Sequence, residues 1–160
     1  MTYKADPDMN VGHVHLKVSD LDRSIQWYSD VLGFDLMQRY GDQAAFLSAG
    51  GYHHHLGLNV WHSKGGTRPG DGTTGLYHAA FLYPNRKALG KAVANVLAKG
   101  VKLVGAADHG VSEAVYLEDP DGNGLELYRD RPREDWPRDE NGTLAMVNDR
   151  LDVAALAAGE

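Results

Sequence analysis

Residues 116–128 read YLEDPDGNGLELY, a sequence in which a polar turn separates two short apolar stretches. Asp, Pro, Gly and Asn favour tight turns, so residues 119–124 predict a hairpin between two strands. Tyr116 then lies on the first strand and Glu126 on the second. Because alternate residues of a strand point to opposite faces, the side chain of Glu126 leaves the sheet on the face opposite to its two flanking leucines.

This hairpin closes the second of two similar halves of the chain. In the first half, the alternation of residues 12–18 predicts a strand, and residues 21–32 predict a helix that ends at a glycine. Three strands follow within residues 34–61, and the same order of elements recurs in residues 76–129. We therefore predict an α+β fold in which two tandem βαβββ modules form a curved mixed sheet around one metal site.

The predicted boundaries divide the chain into five parts. They are an N-terminal arm (1–10), a first module (11–62), a linker rich in Gly, Thr and Pro (63–75), a second module (76–130) and a C-terminal tail (131–160). The linker composition is typical of an exposed segment. The tail has a short amphipathic end, so we expect it to dock on the domain or on a partner subunit.

The composition excludes several classes of function. A chain of 160 residues with 42% hydrophobic and 24% charged residues should bury a core. Its net charge of -6 argues against nucleic-acid binding, and no apolar run reaches the roughly 20 residues that cross a bilayer. The start of the chain has no apolar signal-peptide region and cysteine is absent, so we expect a cytoplasmic protein. Eight histidines without cysteine direct attention to metal binding by nitrogen and oxygen ligands.

Three residues occupy positions that suit a metal site. His13 and His78 open the first strand of each half, and Glu126 lies in the last strand of the second half. Two imidazoles and one carboxylate with open positions favour Fe(II) in non-haem chemistry. Gly57, the repeat partner of Glu126, has no side chain and so supplies no fourth ligand. The alternative is that all three are ordinary polar residues on solvated strand faces.

Three consecutive histidines, residues 53–55, lead into the strand that carries Gly57. His55 is two residues before Gly57 and should face the same cavity, where an imidazole near a metal-bound phenol can act as general base and then as acid. His54 would point to the other face unless a bulge intervenes. An accessory metal cluster or simple surface histidines are the alternatives. His109 lies in a loop, where a solvated histidine is the more common case.

These segments together resemble the vicinal oxygen chelate superfamily, which comprises glyoxalases, bleomycin-resistance proteins and extradiol dioxygenases. The resemblance covers about residues 11–130 and rests on residues 12–21, 27–34, 77–81 and 116–128. Within the superfamily the sequence is most similar to catechol 2,3-dioxygenase-like extradiol enzymes. Glyoxalases usually have an acidic fourth ligand where this chain has Gly57, whereas extradiol enzymes have a His pair on that strand and a Tyr ten residues before the ligand Glu.

The resemblance implies an Fe(II)-dependent extradiol dioxygenase, with Mn(II) as the alternative metal. The implied metal ligands are His13, His78 and Glu126. It further implies that His55, or His54 in the neighbouring register, exchanges protons with the substrate. Tyr116 and His109 are implied to donate hydrogen bonds to the bound oxygens.

The implied substrates are a catechol-type aromatic and dioxygen. Many extradiol enzymes carry four modules and this chain carries two, so we expect a homodimer whose second copy supplies missing walls of the substrate site. Two other functions stay open. One is a glyoxalase-like metal-dependent isomerase or lyase, against which Gly57 argues. The other is a metal-free protein of the bleomycin-resistance type, which would sequester a small molecule with aromatic side chains such as Trp27, Tyr52 and Trp61.

Overall fold

The computed structural model describes residues 2–159, which form eight strands, three α-helices and one short 3-10 turn. The elements of the first half are β1 (Val14–Lys17), α1 (Leu21–Leu32), β2 (Asp35–Tyr40), β3 (Ala44–Ser48) and β4 (Leu56–Asn59). Those of the second half are β5 (Ala79–Leu82), α2 (Arg86–Ala98), β6 (Leu103–Asp108), β7 (Ser112–Glu118) and β8 (Gly124–Asp130). The tail contains the 3-10 turn (Arg133–Asp135) and α3 (Val153–Ala158).

Strand pairing runs within each half. The first sheet has the order β1-β4-β3-β2 and the second the order β5-β8-β7-β6. β1 pairs with β4 and β5 with β8 in parallel, and the other neighbours are antiparallel. The predicted α+β fold with two βαβββ units is confirmed. The strands form two four-stranded mixed sheets, one in each half, where the sequence predicts one curved sheet. Val14 of β1 pairs with Leu56 of β4, and Ala79 of β5 pairs with Leu125 of β8. The parallel strand pair thus has the same arrangement in both halves, as the internal repeat predicts.

The two main helices begin at side-chain caps. The Asp20 carboxylate accepts the backbone N–H of Arg23, which satisfies one of the free donors of the first turn of α1. Asn85 does the same for α2. α1 ends at Gly33, whose φ of 74° is in the left-handed region that glycine adopts without strain.

One continuous core joins the two halves. Leucines and valines of both sheets pack with the buried faces of α1 and α2, and Phe34 of the first half contacts Phe81 of the second at 5.3 Å between ring centroids. The side-chain amide of Asn95 on α2 donates to the carbonyls of Asp30 and Val31 at the end of α1. The halves are therefore packed together and also hydrogen-bonded.

The turn at residues 119–124 is a second connection between the halves. The buried hydroxyl of Tyr28 on α1 donates to Asp119 over 3.0 Å, and burial together with the Asp119 charge raises the Tyr28 pKa well above its usual value. Asp121 accepts hydrogen bonds from the backbone N–H and the hydroxyl of Ser19. The carboxylates of Asp119 and Asp121 therefore hydrogen-bond the turn of the second half to residues of the first half.

The linker contacts both halves, since the Ser63 hydroxyl donates to the Val18 carbonyl of the first half, and the tail lies on the second half. Residues 63–75 contain no helix or strand, and Arg68 forms an ion pair of 2.7 Å with Glu118. In the tail, Leu156 of α3 is fully buried and its carbonyl lies directly against Gly90 of α2. The tail therefore docks on its own chain, one of the two placements expected. Within residues 2–159, no helix has the length and apolarity to cross a bilayer.

Candidate active site

Four predicted site residues form one hydrogen-bonded chain in the second half. Nε2 of His78 lies 2.9 Å from Oε2 of Glu126, and the Tyr116 hydroxyl lies 3.2 Å from the other carboxylate oxygen, Oε1. The same hydroxyl lies 2.8 Å from Nε2 of His109. The side chains of His78 and Glu126 are 31% and 13% exposed, so the site is open to solvent mainly on the histidine side.

Strand register explains why these residues meet. Tyr116 on β7 and Glu126 on β8 are direct antiparallel partners, which places their side chains on the same face. Glu126 is also the parallel partner of Ala80 on β5, and the small alanine leaves room for the longer carboxylate. His78 immediately precedes β5 and reaches the same carboxylate.

The environment keeps Tyr116 protonated. Burial, the nearby charge of Glu126 and the hydrogen bond to that carboxylate raise the pKa of Tyr116 to about 12. The hydroxyl therefore retains its proton at neutral pH and serves as a hydrogen-bond donor.

The donor types fit a divalent cation, but the structure brings together only two of the three predicted ligands. His78 offers Nε2 and Glu126 offers a carboxylate oxygen at the same point, whereas Nδ1 of His78 is buried and has no hydrogen-bond partner. Neutral imidazole and carboxylate are common ligands of Fe(II) and related ions. Among residues 2–159, however, no group of three His, Asp or Glu side chains is close enough to hold a metal ion.

His13, the third predicted ligand, is exposed and precedes β1. Its ring lies 4.5 Å from the ring of His54, and His54 in turn lies 5.0 Å from Phe46, measured between centroids. Nδ1 of His54 contacts Nδ1 of His53 at 2.8 Å. Partial burial and the neighbouring histidines, His13 first among them, lower the pKa of His54 below its usual value. His54 is therefore mostly uncharged at neutral pH.

His55 has different partners. Its Nδ1 lies 3.0 Å from the hydroxyl of Ser48 and accepts the backbone N–H of Ala49 over 3.3 Å. Its backbone carbonyl accepts the N–H of Val14, so this residue leads the chain into β4. Of the two candidate histidines, it is His54 that contacts a predicted ligand.

Gly57 lies under the ring of His15, its parallel partner on β1. A Cβ atom on Gly57 would come within 2.8 Å of Cγ of His15, so the position has no room for any side chain while His15 holds this place. Burial and the charge of His13 lower the pKa of His15. Packing therefore leaves no room for a carboxylate side chain at this position of β4.

Sequence reasoning missed one contact of His109. Nδ1 of this histidine lies 3.1 Å from the backbone carbonyl of Val147 in the tail. A backbone carbonyl leaves no mark in the amino-acid pattern, so no sequence signal could have identified it. The pairings of Ala80 with Glu126 and of His15 with Gly57, in contrast, follow from the internal repeat.

Comparison with known proteins places these features in context. Residues 10–127 match the model of the Glyoxalase/Bleomycin resistance protein/Dioxygenase superfamily. The chain is 42% identical over 149 residues to catechol-2,3-dioxygenase of Bacillus subtilis (strain 168), a match that covers 93% of this chain and 51% of that protein. This chain therefore spans about half the length of that relative.

Other similar proteins include both dioxygenases and lyases. The chain is 32% identical to biphenyl-2,3-diol 1,2-dioxygenase 3 of Rhodococcus globerulus, over 92% of this chain and 80% of that protein. It is 27% identical to a probable lactoylglutathione lyase of Synechocystis sp. (strain ATCC 27184 / PCC 6803 / Kazusa), over 77% and 97% respectively. A solved glyoxalase/dioxygenase structure from Nostoc punctiforme superposes with a TM-score of 0.65 at 20% identity, over 82% of this chain and 99% of that chain. The structural match supports the fold.

Proposed function

Since the chain belongs to the glyoxalase/bleomycin resistance protein/dioxygenase superfamily, we propose that it is an Fe(II)-dependent extradiol dioxygenase that opens the ring of a catechol-type aromatic. The superfamily contains several activities, so the choice among them depends on the site and on the most similar relatives. The observation that carries the proposal is the hydrogen-bonded chain from His78 through Glu126 and Tyr116 to His109. The 42% identity to a catechol-2,3-dioxygenase supports the same choice.

The proposed metal ligands are His13, His78 and Glu126. Two of them already meet, and all three are of the type that Fe(II) accepts, with Mn(II) as the alternative. When bound, the ion would supply positive charge that stabilises a catecholate and open positions for both reactants. Gly57 under His15 supports a site with open positions, because no side chain can enter there.

The proposed role of Tyr116 is to orient Glu126 and to donate a hydrogen bond. Its pKa of about 12 keeps the proton on the hydroxyl throughout the neutral range. Because the hydroxyl stays protonated, its one proton can turn from Glu126 toward an oxygen atom of the substrate. The hydroxyl then donates a hydrogen bond and keeps the proton. Its hydrogen bond to Oε1 leaves Oε2 of Glu126 for the metal.

We propose His54 as the group that exchanges a proton with the catechol, with His55 as the alternative. His54 contacts His13, and its lowered pKa favours the neutral imidazole, the form that can accept a phenolic proton. His53 occupies its Nδ1, which leaves Nε2 for the exchange. Nδ1 of His55 is engaged in the same way by Ser48, but the ring of His55 lies against Phe34 and Tyr52 and not against a proposed ligand.

The direct test is oxygen uptake by anaerobically purified protein that has been loaded with Fe(II), measured against a panel of catechols. The visible absorbance of the semialdehyde product is followed in the same experiment. We expect uptake coupled to a coloured product, and we expect His78→Ala and Glu126→Gln to lose both bound iron and turnover. His62→Ala, which removes an exposed histidine outside the site, is the matched control and should retain both.

Other outcomes of this test point to the other functions of the superfamily. Bound metal without oxygen uptake on any catechol would favour the isomerase or lyase function, which assays with glutathione-derived substrates would then examine. Failure of the wild-type protein to bind a divalent metal would favour a protein that sequesters small molecules. Iron retained at full stoichiometry in both ligand variants would disprove the proposed site.

A pair of substitutions separates the two candidate histidines. His54→Asn should keep iron and lose turnover, whereas His55→Asn should keep most of both. The reverse result would transfer the proton-exchange role to His55 and leave the proposed reaction in place.

We also propose that the protein acts as a homodimer in the cytoplasm. The support for the dimer is the solvent-open histidine side of the site, where the His78 side chain is 31% exposed and a second copy could supply further walls. Light scattering during size-exclusion chromatography would measure the mass directly, and a monomeric mass at assay concentration would contradict the dimer.

A further inference from the structure

The C-terminal tail is joined to the site at one residue, His109. Nδ1 of His109 lies 3.1 Å from the carbonyl oxygen of Val147, and the backbone N–H of Val147 donates to the carbonyl of His109 over 3.0 Å. The same tail residue therefore holds both the backbone and the ring of His109. Two residues further on, Asp149 and Asp108 exchange a pair of backbone hydrogen bonds of 2.9 and 2.8 Å.

The tail is anchored on both sides of this contact. Before it, Arg131 pairs with Asp108, and Pro137 lies against Gly110 so closely that any side chain on this glycine would collide with it. After it, Leu156 is fully buried in the core. Residue 147 is thus part of a fixed segment, and its carbonyl can direct a neighbouring side chain.

The contact determines which ring nitrogen of His109 carries the proton. A backbone carbonyl can only accept a hydrogen bond, so Nδ1 must be the donor. In a neutral imidazole the other nitrogen, Nε2, then has a free lone pair and accepts a hydrogen bond. Its partner over 2.8 Å is the hydroxyl of Tyr116.

Tyr116 consequently has one proton and two acceptors. The hydroxyl lies 2.8 Å from Nε2 of His109 and 3.2 Å from Oε1 of Glu126. If Nε2 of His109 carried the proton instead, the ring would donate to Tyr116. Nδ1 would then have only a lone pair facing the lone pairs of the Val147 carbonyl oxygen, and two acceptors repel each other. The carbonyl of the tail excludes that second arrangement.

We infer that the C-terminal tail is a positioning element of the active site, in which the carbonyl of Val147 holds His109 in the Nδ1–H form and so makes it a second acceptor, beside Glu126, for the one proton of Tyr116. In this form Nε2 of His109 does not donate to a bound oxygen, which is the role that the family resemblance implies for it. His109 and Val147 act through Tyr116 and need not touch the substrate. This inference rests on the proposed ring-cleaving function for its consequence on turnover. The state of the ring itself can be measured without metal or catechol.

The test is the 15N NMR spectrum of the histidine rings in the metal-free full-length protein, with His109 assigned by the signal that His109→Gln removes. We expect His109 to carry its proton on Nδ1 in the neutral form. A wild-type spectrum with the proton on Nε2 would overturn the inference, and the variant serves only to assign the signal.

A substitution in the tail then tests the cause. Val147→Pro removes the N–H that holds residue 147 on His109, so the ring signals should move toward those of a solvent-exposed histidine. With iron and catechol, kcat should fall about tenfold or more while bound iron stays constant, because partners of this kind typically contribute 10- to 100-fold. Met146→Pro is the matched control, since the Met146 N–H makes no hydrogen bond within residues 2–159. It should change neither the spectrum nor kcat.

The outcomes separate the two proposals. Unchanged His109 signals in a folded Val147→Pro protein would overturn the positioning role. The expected signals in a wild-type protein that consumes no oxygen on any catechol would reject the ring-cleaving function and leave the role of the tail at His109 in place.

Discussion

Glu126 lies directly across the parallel strand pair from Ala80, whereas at the equivalent place in the first half Gly57 lies across from His15. Each half therefore combines one large and one small residue, but on opposite strands. The last strand carries the large residue in the second half and the small one in the first. The repeat thus provides two similar frames, and only one of them has room for a carboxylate on its last strand.

The first prediction follows from the packing of His15 over Gly57. Gly57→Ala should lower the free energy of unfolding by about 1–3 kcal/mol, because the new Cβ atom would lie 2.8 Å from a ring atom of His15. Urea denaturation measures this change. In a protein that already carries His15→Ala, the same Gly57→Ala substitution should cost much less stability than it does in the wild type. An equal cost in both backgrounds would indicate that the ring of His15 is not the obstacle.

The second prediction concerns the hydroxyl of Tyr116. Tyr116→Phe removes the hydroxyl that contacts both Glu126 and His109 but removes no metal ligand, so bound iron should stay near the wild-type level and kcat should fall by about 10- to 100-fold. Iron analysis and oxygen uptake measure the two effects. Tyr83→Phe is the control, since the hydroxyl of Tyr83 makes no hydrogen bond within the described residues. Full activity in Tyr116→Phe would show that the hydroxyl is dispensable.

The third prediction is a pH dependence of stability at Asp121. Burial alone would raise the pKa of Asp121, but hydrogen bonds from Ser19 and Arg23 outweigh it and lower the pKa. A lowered carboxyl pKa contributes stability above the unfolded value of about 3.9, and this contribution is lost as the pH falls through the folded value.

Asp121→Asn should therefore lower the free energy of unfolding by about 1–3 kcal/mol at pH 7. The difference from wild type should begin to shrink below about pH 4, where Asp121 of the unfolded chain binds a proton, and should vanish once the pH falls below the lowered pKa of the folded protein. Asp22→Asn is the control, because its ion pair with Arg39 is exposed and such pairs contribute about 1 kcal/mol at most. A difference that is independent of pH would reject the charge of Asp121 as the cause.

The fourth prediction concerns the contact between α2 and α3. Replacing a helical glycine by alanine normally stabilises a helix by about 1 kcal/mol. At Gly90 the backbone carbonyl of Leu156 occupies the space of the new Cβ atom, so Gly90→Ala should destabilise the protein in a thermal or urea titration. Lys91→Ala, on the exposed face of the same helix, should change stability by less than about 0.5 kcal/mol. A more stable Gly90→Ala protein would mean that α3 does not pack there.

Much of the fold is predictable because its signals are local. Residues 21–32 and the terminating Gly33 predict α1 with the bounds that the structure has, and the turn predicted from residue 119 begins where β7 ends, at Glu118. The ends of other strands are less well predicted. Residues 12–18 are expected in a strand, but β1 covers only Val14–Lys17.

The contacts of the candidate site also include some that the sequence predicts and some that it does not. The meeting of Tyr116 with Glu126 follows from a hairpin whose length the sequence determines, and the contact of His78 follows from the repeat. The choice between His54 and His55 depends on side-chain packing around an irregular segment, which alternation cannot resolve. The contact of Val147 depends on where a tail without repeat or motif returns to the sheet.

The order of the elements along the chain has a consequence for a protein whose tail is detached. Both βαβββ units precede Val147 in the chain, so the residue that supplies the carbonyl to His109 belongs to neither of the units whose strands pair. The strand pairing and the completed contact at His109 therefore depend on different parts of the chain. A protein whose tail has come away from His109 can keep its paired strands and still carry an unfinished centre.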